Sequence, residues 1–229
     1  MPQKVILDVD TGGDDAVAIL LAGHHPATKL VAVTVTHGNA PLAVTLPNTL
    51  KCVEYGGLAR VPVYGGAVRP FIADPAPLDP VQNRALPLPE PTLQPQPGHA
   101  VDFLIDYYMG PDGPSTLLVP TAPQTNVALA LLKEPRLAQR IPRIVTMAGA
   151  YIEGNVTPAA EFNIYADPEA ARIVFNAGIP ITMVGLEVTA QALVTLEDAA
   201  EIKKLGTTQA KVAADSGPPH VLLHRFCHH

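Results

Sequence analysis

Four aspartates fall within the run DVDTGGDD, Asp8 to Asp15. Carboxylates this close repel one another unless a positive group joins them. Oxygen ligands at such density suit a hard cation, Ca²⁺ or Mg²⁺. Gly12 and Gly13 permit a tight turn, so acids before and after it can converge. A helix N-terminus also favours a carboxylate, so Asp14 or Asp15 could act only as a cap. Capping accounts for one acid and leaves the others unexplained.

Three further segments carry groups of use to a site. The run GNVTPAAEFNIYADPEAA holds Asn155, Glu161 and Asn163. Amides and a carboxylate on one loop can each hold a hydroxyl by a directional hydrogen bond, which suits a polyhydroxylated ligand. Turn-forming asparagines in an ordinary loop are the plainer alternative. In PTAPQTN, Pro120 to Asn126, the Thr121 carbonyl is a usable Ca²⁺ ligand, although Thr125 or Asn126 could simply cap the next helix. In Thr36-His37-Gly38-Asn39, Asn39 is expected to face the same crevice and His37 to be structural rather than catalytic.

These segments sit between short apolar runs that read as strands and amphipathic stretches that read as helices. Strands are expected at 5–7, 30–35, 61–64, 116–119, 144–147 and 181–184. Helices are expected at 14–24, 42–55, 99–109, 126–133 and 168–176. Alternation of this kind predicts an α/β fold: an open, doubly wound, mostly parallel sheet with helices on both faces. Ligands bind such sheets at the carboxyl ends of the strands, where all four segments fall. The proline-rich stretch 70–97 is expected to be a long irregular loop. Residues 215–229 read as an irregular tail of one domain spanning 1–229.

The chain has 229 residues and a formal net charge of −6, without a basic run. That argues against a nucleic-acid groove. Of the two cysteines, Cys52 and Cys227, Cys52 reads as a small buried hydrophobe, and a disulfide framework is not expected. The N-terminus lacks the pattern of a signal peptide, and no apolar run reaches the roughly 18 residues of a membrane helix. A cytoplasmic protein is expected.

Taken together and in order, DVDTGGDDAVAILLA, THGN, PTAPQTNVALAL, GNVTPAAEFNIYADPEAA and ITMVGLEVT resemble the inosine–uridine nucleoside hydrolase family, from Val5 to about Leu205. The resemblance implies a calcium-dependent enzyme of nucleoside catabolism and purine salvage that cuts the N-glycosidic bond of ribonucleosides. It implies that Asp10, Asp15 and the Thr121 carbonyl bind Ca²⁺, with Asp10 also the general base on a water. Asp14 and Asn163 would hold the ribose 2′- and 3′-hydroxyls, and Asn155 and Glu161 the 5′-hydroxyl. Asn39 would lie near the sugar or the water, Met147 beneath the ribose, and Asp8 in support. The expected partners are a ribonucleoside and further copies of the chain, as a homodimer or homotetramer, with no nucleic acid and no membrane.

Two departures from the family pattern stand out. The region DPVQNRALPLPEP, with Gln82 and Asn83, lacks the family's His-Gly loop near the base. The chain also has no His-Asp dipeptide, which the family carries in a further C-terminal subdomain and whose Asp completes the calcium shell. His220, His224, His228 and His229 stand in the tail instead, as a disordered end or as ligands for a soft metal such as zinc. A truncated or frameshifted reading frame is therefore expected, with weak calcium binding, little base release and poor solubility. Two rival functions remain. Asp8-Val9-Asp10-Thr11 also fits a phosphatase of the haloacid dehalogenase type, with Asp8 as nucleophile, Asp10 as acid and Mg²⁺, but no later lysine and acidic pair complete that set. The other rival is a remnant that binds ribose-like ligands without turnover.

Overall fold

The computed structural model describes residues 1–72 and 85–216. Six strands form its sheet: β1 (Gln3–Val9), β2 (Thr28–Val35), β3 (Val63–Gly65), β4 (Thr116–Pro120), β5 (Ile144–Met147) and β6 (Ile181–Val184). Their order is β3-β2-β1-β4-β5-β6, and every pairing is parallel. The first crossover helices are α1 (Gly13–His24) and α2 (Leu42–Tyr55), followed by α3 (Ala100–Met109) and α4 (Thr125–Lys133). The short α5 (Phe162–Ala166) precedes α6 (Pro168–Phe175). Beyond β6 come α7 (Leu186–Thr189), α8 (Leu196–Lys204) and α9 (Thr208–Ser216).

Side chains alternate across a strand, and β1 shows the consequence. Val5, Leu7 and Val9 pack on one face with Ala16 and Ile19 of α1 and Leu50 and Val53 of α2. Ile6 packs on the other with Leu118, Ile144, Leu104 of α3, Val127 of α4 and Val174 of α6. The sheet is thus covered on both faces, and its central strands read as continuous apolar runs for that reason. Chain order reverses between β1 and β4, so their carboxyl ends open a crevice at the switch point. Asp8-Asp10 and Pro120-Thr121 stand there.

Four helices lie outside the apolar pattern read from the sequence: α5, α7, α8 and α9. α5 and α7 are each about one turn, too short to show a period. α8 buries none of its residues; a Thr195–Asp198 capping box opens it. α9 packs on α1 and α2. The described parts of the proline-rich stretch, 70–72 and 85–97, contain neither helix nor strand; Gln82 and Asn83 lie outside the described residues. Asp215 and Ser216 end α9, and the four histidines from His220 to His229 also lie outside them. Among the described residues no helix is long and apolar enough to cross a membrane.

One side chain ties three strand ends together. Asn126, fully buried in the first turn of α4, donates through Nδ2 to Asp8 Oδ1 at 2.8 Å and to the Val35 carbonyl at 3.2 Å. Its Oδ1 accepts from the Ala67 N–H at 2.8 Å. A Cβ at Gly66 would collide with that oxygen, so only glycine allows the chain to pass. Replacing Asn126 with Ala strands a buried carbonyl and a buried N–H and takes one donor from Asp8. We expect a loss of about 3 kcal/mol in a urea unfolding experiment, from unsatisfied groups costing about 1–3 kcal/mol each. An unchanged urea midpoint would show that Asn126 is not this tie.

Candidate functional site

The acid run divides at the end of β1. Asp8 lies in the strand, Asp10 just past it, and Asp14 and Asp15 in the first turn of α1. No side chain caps α1, whose N-cap is Gly12. Asp15 instead turns back over the loop: its Oδ2 accepts from the Asp10 N–H at 3.1 Å and its Oδ1 from the Thr121 hydroxyl at 2.6 Å. Asp8, Asp10 and Asp15 are buried; Asp14 is exposed at the mouth.

Asp10 is gripped from one side. Its Oδ2 accepts from the Asn39 N–H at 2.5 Å, while its Oδ1 is buried without a partner among the described residues. The turn that delivers Asn39 depends on Gly38, because a Cβ there would collide with Asp10 Oδ2. Beneath the crevice Asp8 accepts from Thr34 Oγ1 at 2.6 Å and from Asn126, and its Oδ2 is likewise unpartnered. Thr11 is held by Thr49, at 2.6 Å between hydroxyls, and its carbonyl by the Asn48 amide at 3.1 Å.

Thr121 joins the acids to the second cluster. Its N–H donates to the Asp8 carbonyl at 2.9 Å, and its own carbonyl accepts from Asn163 Nδ2 at 3.1 Å. The same Nδ2 reaches the Met147 carbonyl at 3.0 Å and the Met147 sulfur at 3.4 Å. A carbonyl has two lone pairs, so Thr121 keeps one for another ligand. Glu161 caps α5: Oε1 accepts from the Asn163 N–H, and Oε2 from the N–H groups of Gly149 and Ile164. Asn155 fixes the start of that helix by accepting from the Phe162 N–H at 2.9 Å. Asp10, Asp15, Thr121, Asn163, Met147, Asn39 and Glu161 therefore form one bonded group. Asp14 joins it by charge alone, and Asn155 through α5.

Burial dominates the electrostatics. It pushes Asp8 up to about 6 and Asp15 up to about 8, with the Asp14 charge adding to the second. It also raises Asp10 well above the ordinary carboxylate range, with the charges of Asp15 and Asp14 adding to the effect. Like charges brought together in low dielectric behave this way when nothing positive joins them. Two buried carboxylates, one oxygen without a partner and a carbonyl lone pair form a hard-oxygen donor set that fits Ca²⁺ or Mg²⁺. Among the described residues, no three His, Cys, Asp or Glu side chains are grouped to hold a metal by themselves.

Sequence reasoning did not find three parts of the site. Gly38 is needed for its lack of a side chain, which nothing in THGN reveals. Asp167 and Thr125 turn inward to meet His37, a pairing between distant residues that no local spacing encodes. The phosphatase alternative also finds little support in the geometry, since Asp8, its nucleophile, is buried with Oδ1 accepting from Thr34 and Asn126.

The chain matches the family model described as inosine-uridine preferring nucleoside hydrolase over residues 5–228. The match runs well past Leu205, near which the resemblance read from the sequence ends. Pyrimidine-specific ribonucleoside hydrolase RihA of Photobacterium profundum is 42% identical, over 98% of this chain and 74% of that protein. Pyrimidine-specific ribonucleoside hydrolase RihB of Escherichia coli is 41% identical, over 93% of this chain and 69% of that one. Among solved structures, a purine-preferring ribonucleoside hydrolase from Gardnerella vaginalis superposes with a TM-score of 0.87 at 36% identity, covering 93% of this chain and 70% of that one.

The buried acids give stability a definite sign with pH. Asp15 binds its proton more tightly folded than unfolded, so its contribution is lost as pH rises through about 8. Burial lowers His37 from 6.5 to about 4, so its effect runs the other way but ends above pH 6.5. Between pH 6.5 and 8 the carboxylates alone remain. With chelator present, the melting temperature is expected to fall across that window, by about 2–4 °C for each kcal/mol lost in a domain of this size. Asp15→Asn should flatten the slope. A melting temperature that rises with pH there would contradict the assigned direction.

Proposed function

We propose that this chain, which belongs to the inosine-uridine preferring nucleoside hydrolase family and is a ribonucleoside hydrolase, works with Ca²⁺ held by Asp10, Asp15 and the Thr121 carbonyl. The carrying observation is the buried, unpartnered Asp10 Oδ1 beside a second buried carboxylate at the sheet's switch point. Ca²⁺, when bound, orients the sugar diol and lowers the pKa of water.

The chain's own groups do the rest. Asn39 occupies Asp10 Oδ2, and Oδ1 can take the proton of the water that attacks the ribosyl carbon as the bond to the base breaks, the base leaving with that bond's electron pair and taking its proton from solvent. Cleavage of a ribosyl bond passes through an oxocarbenium-like state. Asp14 and Asn163 hold the 2′- and 3′-hydroxyls and so fix the ring while it flattens. Asn155 and Glu161 hold the 5′-hydroxyl, Glu161 from a position locked by three backbone N–H groups. Met147 lies beneath the ribose. Such positioning contributes about 7–11 kcal/mol at best.

Pyrimidine ribonucleosides are the proposed substrates. The relatives at 41% and 42% identity are named pyrimidine-specific, whereas the structure named purine-preferring is 36% identical. We further take the enzyme to be cytoplasmic, to serve nucleoside catabolism and salvage, and to act as a homodimer or homotetramer. Two carboxylates and one carbonyl give a low ligand charge, so calcium is needed at roughly millimolar levels.

Release of free base from uridine, cytidine and inosine tests this directly. Calcium-dependent release is expected, faster from the pyrimidine ribonucleosides and abolished by chelator. Asp10→Asn should lower kcat by about 10²–10⁴. Turnover that survives both chelator and Asp10→Asn would rule the mechanism out.

A further inference from the structure

His37 is buried two residues before Asn39, and its ring meets Thr125 at the start of α4. Its Nε2 lies 3.0 Å from Thr125 Oγ1, and that hydroxyl donates to Asp167 Oδ2 at 2.6 Å. Asp167 also accepts from the Phe71 N–H at 3.2 Å on Oδ2 and from the Ala170 N–H at 3.1 Å on Oδ1, as the cap of α6. All three side chains are buried.

The direction of these bonds follows from counting protons. Thr125 has one hydroxyl hydrogen, and Asp167 takes it. The Thr125 oxygen can then only accept from His37, so His37 carries its proton on Nε2. Burial lowers the imidazole to about 4, which keeps it neutral at working pH. The network has one arrangement and no freedom to reverse.

The turn from His37 to Asn39 has few other anchors. The His37 N–H donates to the Ala67 carbonyl at 3.0 Å, the Gly38 N–H to the Ala40 carbonyl at 3.1 Å, and the Asn39 N–H to Asp10. Gly38 lies so close to Asp10 that a small shift of the turn changes that last contact.

We propose that His37, Thr125 and Asp167 form a positioning relay that presses the His37–Asn39 turn onto Asp10, so that Oδ2 is occupied and Oδ1 is aimed at water. The relay rests on the reading of Asp10 as the base, but its structural effect can be measured without turnover. It makes Thr125 more than a helix-terminal residue and gives His37 a role through Asn39 rather than on the substrate.

The full chain, labelled with ¹⁵N, supplies the test. The His37 ring is expected as the Nε2–H tautomer, and the Asn39 amide proton far downfield, as a short bond to a carboxylate requires. Thr125→Val should move the Asn39 amide upfield, and Thr125→Ser should return it. In base release, Thr125→Val should lower kcat about 10–100-fold, the usual scale for groups that orient a site's inner residues, with KM little changed. An Nδ1–H tautomer, or an Asn39 amide unmoved by Thr125→Val, overturns the relay. If the amide moves and kcat does not, the relay stands and the role of Asp10 as base fails. If Thr125→Val does not fold by circular dichroism, the pair His37→Gln and His37→Leu replaces it. Gln, which keeps an N–H donor, should preserve the Asn39 resonance and Leu should not; equal effects overturn the relay.

Discussion

Burying carboxylates side by side is costly, and the crevice of this protein is organised around that cost. Asp8, Asp10 and Asp15 are all removed from water at the end of one strand. Burial raises the proton affinity of all three, and the charges of neighbouring acids add to the effect on Asp10 and Asp15. The surroundings answer with donors of defined direction: Asn39 on Asp10, Thr121 on Asp15, and Thr34 and Asn126 on Asp8. The donors come from β2 and the turn after it and from the stretch between the end of β4 and the first turn of α4, so the acids are placed only when β1 lies between β2 and β4. Fold and site are in this sense one problem.

Two layers of support follow. The inner layer satisfies both oxygens of Asp15 but only one each of Asp8 and Asp10, leaving Asp8 Oδ2 and Asp10 Oδ1 without a partner among the described residues. The outer layer fixes the inner donors: Asn126 ties three strand ends, and Thr125 links the turn after β2 to the cap of α6. The arrangement resembles the rule for metal centres, in which partners of the ligands orient them nearly as strictly as the ligands hold the ion. Asn163 serves both layers, since one amide touches the Thr121 carbonyl and both the carbonyl and the sulfur of Met147.

Much of this could be read from the chain alone, because the fold and the acids leave local marks. Apolar runs such as 144–147 and 181–184 became strands at those same residues, and 42–55 became a helix over that range. The acid run declared itself by density. What escaped was either too short or too distant to leave a local mark. One-turn α5 has no period, and α8 has no buried face. The pairing of His37 with Asp167 joins residues 130 positions apart through a third (167 less 37). Glu161 reads as a hydroxyl-binding acid; it also caps α5 by accepting from three backbone N–H groups, a second role that its spacing alone did not reveal.

On the function proposed for it, the crevice brings Asp10 and Asp15 together to bind a cation. A calorimetric titration of the full chain with Ca²⁺ at pH 7, in two buffers of different ionisation enthalpy, tests it most directly. Asp15, pushed up to about 8, holds a proton at that pH and must release it to ligate. The account requires binding in the millimolar range or tighter, with a buffer-dependent heat that reports proton release and shrinks in Asp15→Asn. Binding with no proton release, or a signal unaltered in Asp15→Asn, would contradict it.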